Sequence, residues 1–199
     1  MSINSQEIKN LEYLLSRLPG VGPRSARRIV LNMLKNRDSI MLPLSKQISE
    51  VASKVKKCSV CSNLDIISPC NVCEDPKRDD KVVCIIEDAS DLWALQKLDT
   101  FKGKFHVLGG LLSALDGIGP EDLRINQLIE RITNNKVREV ILALPLTIDG
   151  QTTVHYIHNK LKDTETLITQ LAHGVPVGGE LDYLDDGTIT TALSSRRPL

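Results

Sequence analysis

Apolar positions recur at helical spacing in three stretches near the start of the chain. In QEIKNLEYLLSR, residues 6–17, Ile8, Leu11, Leu14 and Leu15 share one side of a 3.6-residue helix. From Ser25 to Lys35 the stripe is Ala26, Ile29, Val30, Met33 and Leu34, and over residues 44–57 it is Ile48, Val51 and Val55. The turn PGVGP separates the first two, so the amino-terminal part reads as a small all-helical unit.

From Lys81 the texture changes. KVVCIIE is a short, almost wholly apolar run rich in β-branched residues, as suits a strand buried on both faces. SDLWALQKL reads as a helix with Ser90 as its cap. KFHVLGG reads as a second strand, and PEDLRINQLIERI as a second helix with Pro120 at its first position and acids in its first turn. REVILAL and TTVHYIHNKL supply a third strand and a third helix. This alternation predicts a parallel sheet with helices on both faces. The stretch EDPKRDD, residues 74–80, reads as a polar linker, and the turn-rich tail VPVGGELDYLDDGTITTAL as short fragments. The expected fold class is α+β and multidomain: a helical unit over 1–57, a cysteine module over 58–73, an α/β domain over 81–176 and a carboxyl-terminal segment over 177–199.

Charge sharpens this division. The whole chain is formally neutral, yet residues 1–57 hold 11 Lys or Arg against 4 Asp or Glu, a net +7, and residues 58–199 hold 14 against 21, a net −7. A basic helical unit on an acidic remainder points to a polyanionic partner at the amino-terminal end. Aromatic residues make up only 3% of the chain, too few for recognition built on stacking bases against rings. The start, MSINSQEIKN, lacks the basic and apolar regions of a secretory signal, and no apolar run approaches the roughly 18 residues of a membrane helix. A cytoplasmic location without membrane attachment is expected.

The chemistry of the basic unit centres on LPGVGPRSARRI, residues 18–29. Gly20 and Gly22 can take backbone angles closed to other residues, giving a tight hairpin. The helix that follows presents unpaired N–H groups and the positive end of its dipole, which suits a phosphate. Arg24, Arg27, Arg28 and, further along, Lys35 add cationic charge. Such a site reads the nucleic-acid backbone and not the bases. A second copy, DGIGPEDLRI at 116–125, repeats the glycine spacing but puts Glu121 and Asp122 where the first has Arg24 and Ser25; it reads as a structural turn.

CSVC at 58–61 and CNVC at 70–73 form two C-x2-C pairs with eight residues between them. In a reducing compartment this pattern predicts one structural zinc on Cys58, Cys61, Cys70 and Cys73, with no open position for catalysis. Cys84, inside an apolar strand, reads as a small buried residue. In the α/β part, Glu87 follows the first strand and Asp149 the third. Ligands of parallel sheets bind beyond the carboxyl ends of strands, so Glu87 and Asp149, with Asp88 alongside, can face one crevice and hold Mg²⁺.

The first hairpin with its flanking helices resembles a helix-hairpin-helix motif. Gly20 and Gly22 match its glycines, and Arg24 and Arg28 match positions where basic residues usually stand. The acidic residues resemble those of a Toprim domain, with Glu87 as its glutamate, Asp149 as the first aspartate of its D-x-D pair, and Gln151 in place of the second. One missing carboxylate makes the acidic cluster a weak Mg²⁺ site or a partner surface, not a catalytic centre. A Mg²⁺-dependent nuclease or primase using Glu87 and Asp149 is the rival reading. Taken in order, LPGVGPRSARR, the two cysteine pairs, VVCIIEDASDLWALQKLDTFKGKFHVLGGLLSALDGIGPEDLRI and LAHGVPVGGELDYLDDGTITTAL are similar to the RecR family of bacterial recombination mediators. LALPLTIDGQ departs from the family's twice-acidic loop, and Leu31 and Asn32 from its usual residues after the hairpin. The resemblance implies a non-enzymatic, sequence-independent DNA-binding protein of recombinational repair, associated with the nucleoid. It further implies dimers and tetrameric rings with hairpins lining a basic lumen, acting with RecO and RecF to load RecA on strands coated by SSB.

Overall fold

A computed structural model describes residues 5–97, 101–172 and 174–196. Leu98, the last residue of the expected SDLWALQKL helix, and the last three residues of the carboxyl-terminal segment lie outside the described residues. The chain divides into two compact units, Met1–Val55 and Lys56–Leu199. Among the described residues no helix is long and apolar enough to cross a membrane.

The first unit is helical: α1 (Gln6–Ser16), α2 (Pro23–Lys35), a π-helical turn (Arg37–Met41) and α3 (Leu42–Lys54). Pro23 starts α2 two residues before the expected Ser25, because its missing N–H and fixed φ cost nothing at a first helical position. α1 packs on α2, and Ala26, Val30 and Met33 are buried. Among the described residues the third apolar stripe finds no cover within the unit: Ile48 is 59% exposed, and Val51 and Val55 are exposed beside it. The link to α3 is the π turn, where Met41 N–H reaches back five residues to the Asn36 carbonyl (3.3 Å).

The second unit begins with a small hairpin, β1 (Lys56–Lys57) against β2 (Leu64–Asp65), and a short helix, α4 (Asn71–Glu74). Then come β3 (Asp79–Ile86), α5 (Ala89–Gln96), β4 (Gly103–Val107), α6 (Ile125–Asn135), β5 (Glu139–Ala143), α7 (Ile148–Leu161) and β6 (Leu167–Gln170). The strands form one parallel sheet in the order β4-β3-β5-β6. The expected parallel sheet is present, with β6 as a fourth strand that the sequence pattern left unassigned. Beyond it lie a 3₁₀ turn (Leu181–Tyr183) and α8 (Asp186–Ser194), whose N-cap Asp185 accepts from Thr188 N–H at 2.9 Å.

Alternation along β3 builds two cores. Val83 and Ile85 pack with Leu128 and Ile132 of α6 and Ile157 and Leu161 of α7. Cys84 and Ile86 face the other way, onto Leu92 of α5, Phe105, Val107 and the module residues Cys58, Cys61, Cys70 and Val72. The cysteine module is therefore part of the cover of the sheet's second face. It also shields the sheet edge, since Val107 N–H on the outer strand β4 donates to the Cys61 carbonyl at 2.8 Å.

Three local expectations are corrected. α5 is capped by Asp88 and not Ser90: the Asp88 carboxylate accepts from Ser90 N–H (2.9 Å), and Asp91 returns the favour to Asp88 N–H (3.1 Å). α6 starts at Ile125 and not Pro120, because Arg124 N–H is drawn to the Leu108 carbonyl (3.0 Å) and Arg124 leaves the helical region. α7 starts at Ile148, four residues before the expected TTVHYIHNKL, with Thr147 Oγ1 accepting from Gly150 N–H at 3.1 Å. Gly150 hides this helical start in the sequence. A side chain there would run into the Pro145 carbonyl.

Candidate nucleic-acid interface and metal centre

The hairpin between α1 and α2 closes through Val21 N–H onto the Leu18 carbonyl (3.0 Å). Gly20 sits at φ +76°, the left-handed region that favours glycine. Gly22 does not need that freedom: it is the extended N-cap of α2 at φ −78°. The expectation that both glycines are there for unusual backbone angles thus holds for Gly20 alone, because Gly22 has already entered the approach to the helix. The N-cap Gly22 has no side chain to cap α2, and among the described residues no side-chain hydrogen bond closes its first turn.

Arg24, Arg27, Arg28 and Lys35 are all exposed on α2. Arg24, Arg28 and Lys35 follow helical spacing along one stripe. Arg27 lies off it and pairs with Glu12 of α1 at 3.7 Å. Among the described residues Arg24 and Arg28 form no ion pair. The open helix start, the Gly20 turn and two uncommitted guanidinium groups compose a surface able to accept phosphates. The second glycine turn is built otherwise: Gly117 repeats the positive φ (+68°), but the Asp122 carboxylate accepts from Gly119 N–H at 2.9 Å, and no helix follows directly. Its donor is already used and its charge is negative.

The four expected ligand cysteines come together. Their sulfurs lie within 4.8 Å of one another, with Cys58 and Cys73 at 3.9 Å and Cys61 and Cys70 at 3.5 Å. A tetrahedron with metal–sulfur arms of about 2.3 Å has edges of about 3.8 Å, so these separations suit one tetrahedral ion and are far too long for disulfides. The first pair is carried by a turn in which Ser62 N–H meets the Cys58 carbonyl (3.0 Å), with Ser62 itself at φ +63°. The second is carried by α4, where Cys70 is the N-cap and Cys73 N–H meets its carbonyl at 2.9 Å. Contact with Cys70 pushes the Cys61 thiol up, while contact with Cys61 pulls Cys70 down. Four sulfurs packed this closely cannot all ionise without a cation among them. Cys84 is buried below the module, outside the sulfur cluster, and burial pushes its thiol up to about 12.

Glu87 leaves the end of β3 half-buried, its carboxyl held above the ordinary range by burial and then by the charges of Asp91 and Asp88. Asp88 is occupied in capping α5. Asp149 lies inside the first turn of α7, its carbonyl accepting from Thr153 Oγ1 at 2.7 Å. Among the described residues the buried Gln151 amide nitrogen has no hydrogen-bond partner. Among the described residues the cysteines are the one group of three or more His, Cys, Asp or Glu side chains gathered closely enough to share an ion, and Glu87, Asp88 and Asp149 form no such group.

Sequence reasoning missed His106 and Lys104. Both lie on β4 and both are buried. His106 Nε2 is 3.0 Å from the Arg124 carbonyl and donates to it, leaving Nδ1 without a partner. An apolar-looking strand gave no signal for either residue except that a lysine and a histidine alternate with Phe105 and Val107.

A helical hairpin unit, a module of four clustered thiols and a parallel α/β sheet with a glutamate directly after its first strand define the class: a helix-hairpin-helix protein with a Toprim domain. The profile described as RecR, helix-hairpin-helix matches residues 8–52, that of the Toprim domain residues 81–172, and that described as RecR, C-terminal residues 174–197. The chain is 52% identical over 198 residues to the recombination protein RecR of Parvibaculum lavamentivorans, covering 100% of both chains. It is 55% identical over 192 residues to that of Caulobacter vibrioides, covering 96% of each. It is 53% identical over 197 residues to that of Rhodospirillum rubrum, covering 99% of this chain and 100% of the other. The chain belongs to the RecR family of recombination proteins.

Proposed function

We propose that the chain is a non-catalytic mediator of recombinational repair that binds DNA without sequence preference through the α1–α2 hairpin. The observation that carries this reading is the uncommitted Arg24–Arg28 pair beside the uncapped start of α2, within the basic part of the chain. Gly20, Gly22, Arg24, Arg28 and Lys35 form the phosphate-facing surface, and Arg27, paired with Glu12, contributes less. The ion in the cysteine cluster is one structural zinc per chain, because four thiolates in a closed set suit zinc and leave no position for substrate. The metal binding free energy is then folding free energy.

The domain limits proposed are 1–57, 58–73, 81–176 and 177–199. The uncovered apolar stripe of α3 supports association through the amino-terminal unit, in keeping with dimers and tetrameric rings around DNA. Several hairpins in one ring multiply weak phosphate contacts into strong binding. Glu87, Asp88 and Asp149 serve as a partner surface, since the three carboxylates are not gathered closely enough to share an ion. Asp88 is committed to a helix cap and Gln151 brings no charge, which speaks against phosphoryl transfer. In the cytoplasm, at the nucleoid, the protein works with RecO and RecF to load RecA onto SSB-coated strands.

Fluorescence anisotropy with two oligonucleotides of unrelated sequence tests the proposal. Wild type should bind both alike, and Arg24→Glu with Arg28→Glu should bind neither while keeping its circular dichroism spectrum. Cleavage or nucleotide polymerisation in Mg²⁺ or Mn²⁺ that disappears in Glu87→Gln would refute the non-catalytic assignment.

A further inference from the structure

Lys104 is 7% exposed, and its ammonium donates to three main-chain carbonyls: Val72 at 3.2 Å, Cys73 at 2.9 Å and Asp75 at 2.7 Å. Three donors meet three acceptors, so its hydrogen bonding is complete. Its charge is not balanced in the same way. Among the described residues Lys104 has no carboxylate partner, whereas nearby Arg78 is paired with Asp75 at 3.6 Å and also holds the Phe101 and Gly103 carbonyls. Burying an ammonium costs heavily unless negative charge offsets it.

That charge lies in the segment Lys104 grips. Two of its three acceptors, Val72 and Cys73, belong to the turn of α4 that carries the second cysteine pair. Four thiolates around one divalent ion carry a net charge of about −2, which a neighbouring cation stabilises. The other cysteine pair is tied to the same strand, since Val107 N–H holds the Cys61 carbonyl at 2.8 Å. Strand β4 thus grips both halves of the module, once through main chain and once through a buried cation. We propose that Lys104 is the positioning and charge-compensating residue of the metal centre, coupling occupancy of the four-thiol site to the outer edge of the Toprim sheet. This rests on the reading of Cys58, Cys61, Cys70 and Cys73 as a metal site.

Zinc affinity of the full chain, measured by competition with a colorimetric chelator, tests the proposal on wild type, Lys104→Met and Lys104→Arg. Wild type should hold one zinc per chain. Lys104→Met should lose about ten- to hundredfold in affinity, the usual cost of removing an outer partner of a metal ligand, and Lys104→Arg should recover most of it because it restores a cation with several donors. A second measurement uses the wild type alone, in case Lys104→Met does not fold. Reductive methylation read by mass spectrometry should find the Lys104 amine protected with zinc bound and reactive after chelation. Affinity in Lys104→Met equal to wild type, or an amine that stays protected after the metal is stripped, overturns the role of Lys104. A wild type that holds no zinc overturns the metal site itself.

Discussion

Arg24 and Arg28 stand four residues apart on α2 with no ion-pair partner among the described residues, while Arg27 between them is turned to Glu12. The sequence displays three equivalent arginines, and only the packing of α1 on α2 separates them. His106 shows the same limit from the other side. It looks like one more polar residue in KFHVLGG, yet it is fully buried, and burial chiefly, opposed by its bond to Arg124 and aided by the charges of Arg131 and Arg124, pulls it from its ordinary 6.5 to about 4. The unfolded chain therefore takes up this proton first as pH falls below 6.5, so stability drops between pH 6.5 and 4 and not further below from this group. At 1.36 kcal/mol per pH unit the loss amounts to about 3 kcal/mol. Urea unfolding across that window should give a steeper loss for wild type than for His106→Gln, which keeps a donor for the Arg124 carbonyl; parallel curves would remove His106 from the account.

At the scale of elements, β3 and β5 are legible because each carries a short apolar run rich in β-branched residues, and β4 because its strand-length segment ends in a Gly-Gly turn and alternates with helical stretches. β6 is not, since LITQ is short and half polar, and it lies at the sheet edge. The helix starts were misread wherever tertiary contacts decided them, as at Arg124 and Gly150. The cysteine spacing picks out the four residues whose sulfurs come together, but not where the module packs. Its residues help cover one face of the sheet, so metal loss should reach the Toprim core. Cys70→Ser should release the metal and lower the melting temperature of the whole second unit, with a large part of that unit's stability lost. Cys84→Ser, a hydroxyl forced into an apolar site, should cost about 1–3 kcal/mol and keep its zinc, as atomic absorption would show. Metal retained by Cys70→Ser would disprove the ligand set.

For the whole molecule, the charge division seen in the composition nearly coincides with the two compact units: residues 1–55 hold 9 Lys or Arg against 4 Asp or Glu, a net +5, and residues 56–199 hold 16 against 21, a net −5. Assembly is where sequence alone says least, because an apolar stripe at helical spacing looks the same whether its own chain or another covers it. In the proposed assembly the stripe of α3, with Ile48 59% exposed, is covered by another copy of the chain. Ile48→Asp should lower the mass in solution measured by light scattering, and an unchanged mass would place the association elsewhere. In the proposed mode of DNA binding, phosphates meet the α1–α2 hairpin through Arg24 and Arg28. The most direct measurement is the dependence of DNA affinity on salt, wild type against Arg24→Ala with Arg28→Ala. Each phosphate contact contributes about −0.9 to the slope of log K against log salt on duplex DNA, so the double variant should lose about 1.8 from the slope for every hairpin engaged. A slope identical to wild type would mean that DNA binds somewhere else on the molecule.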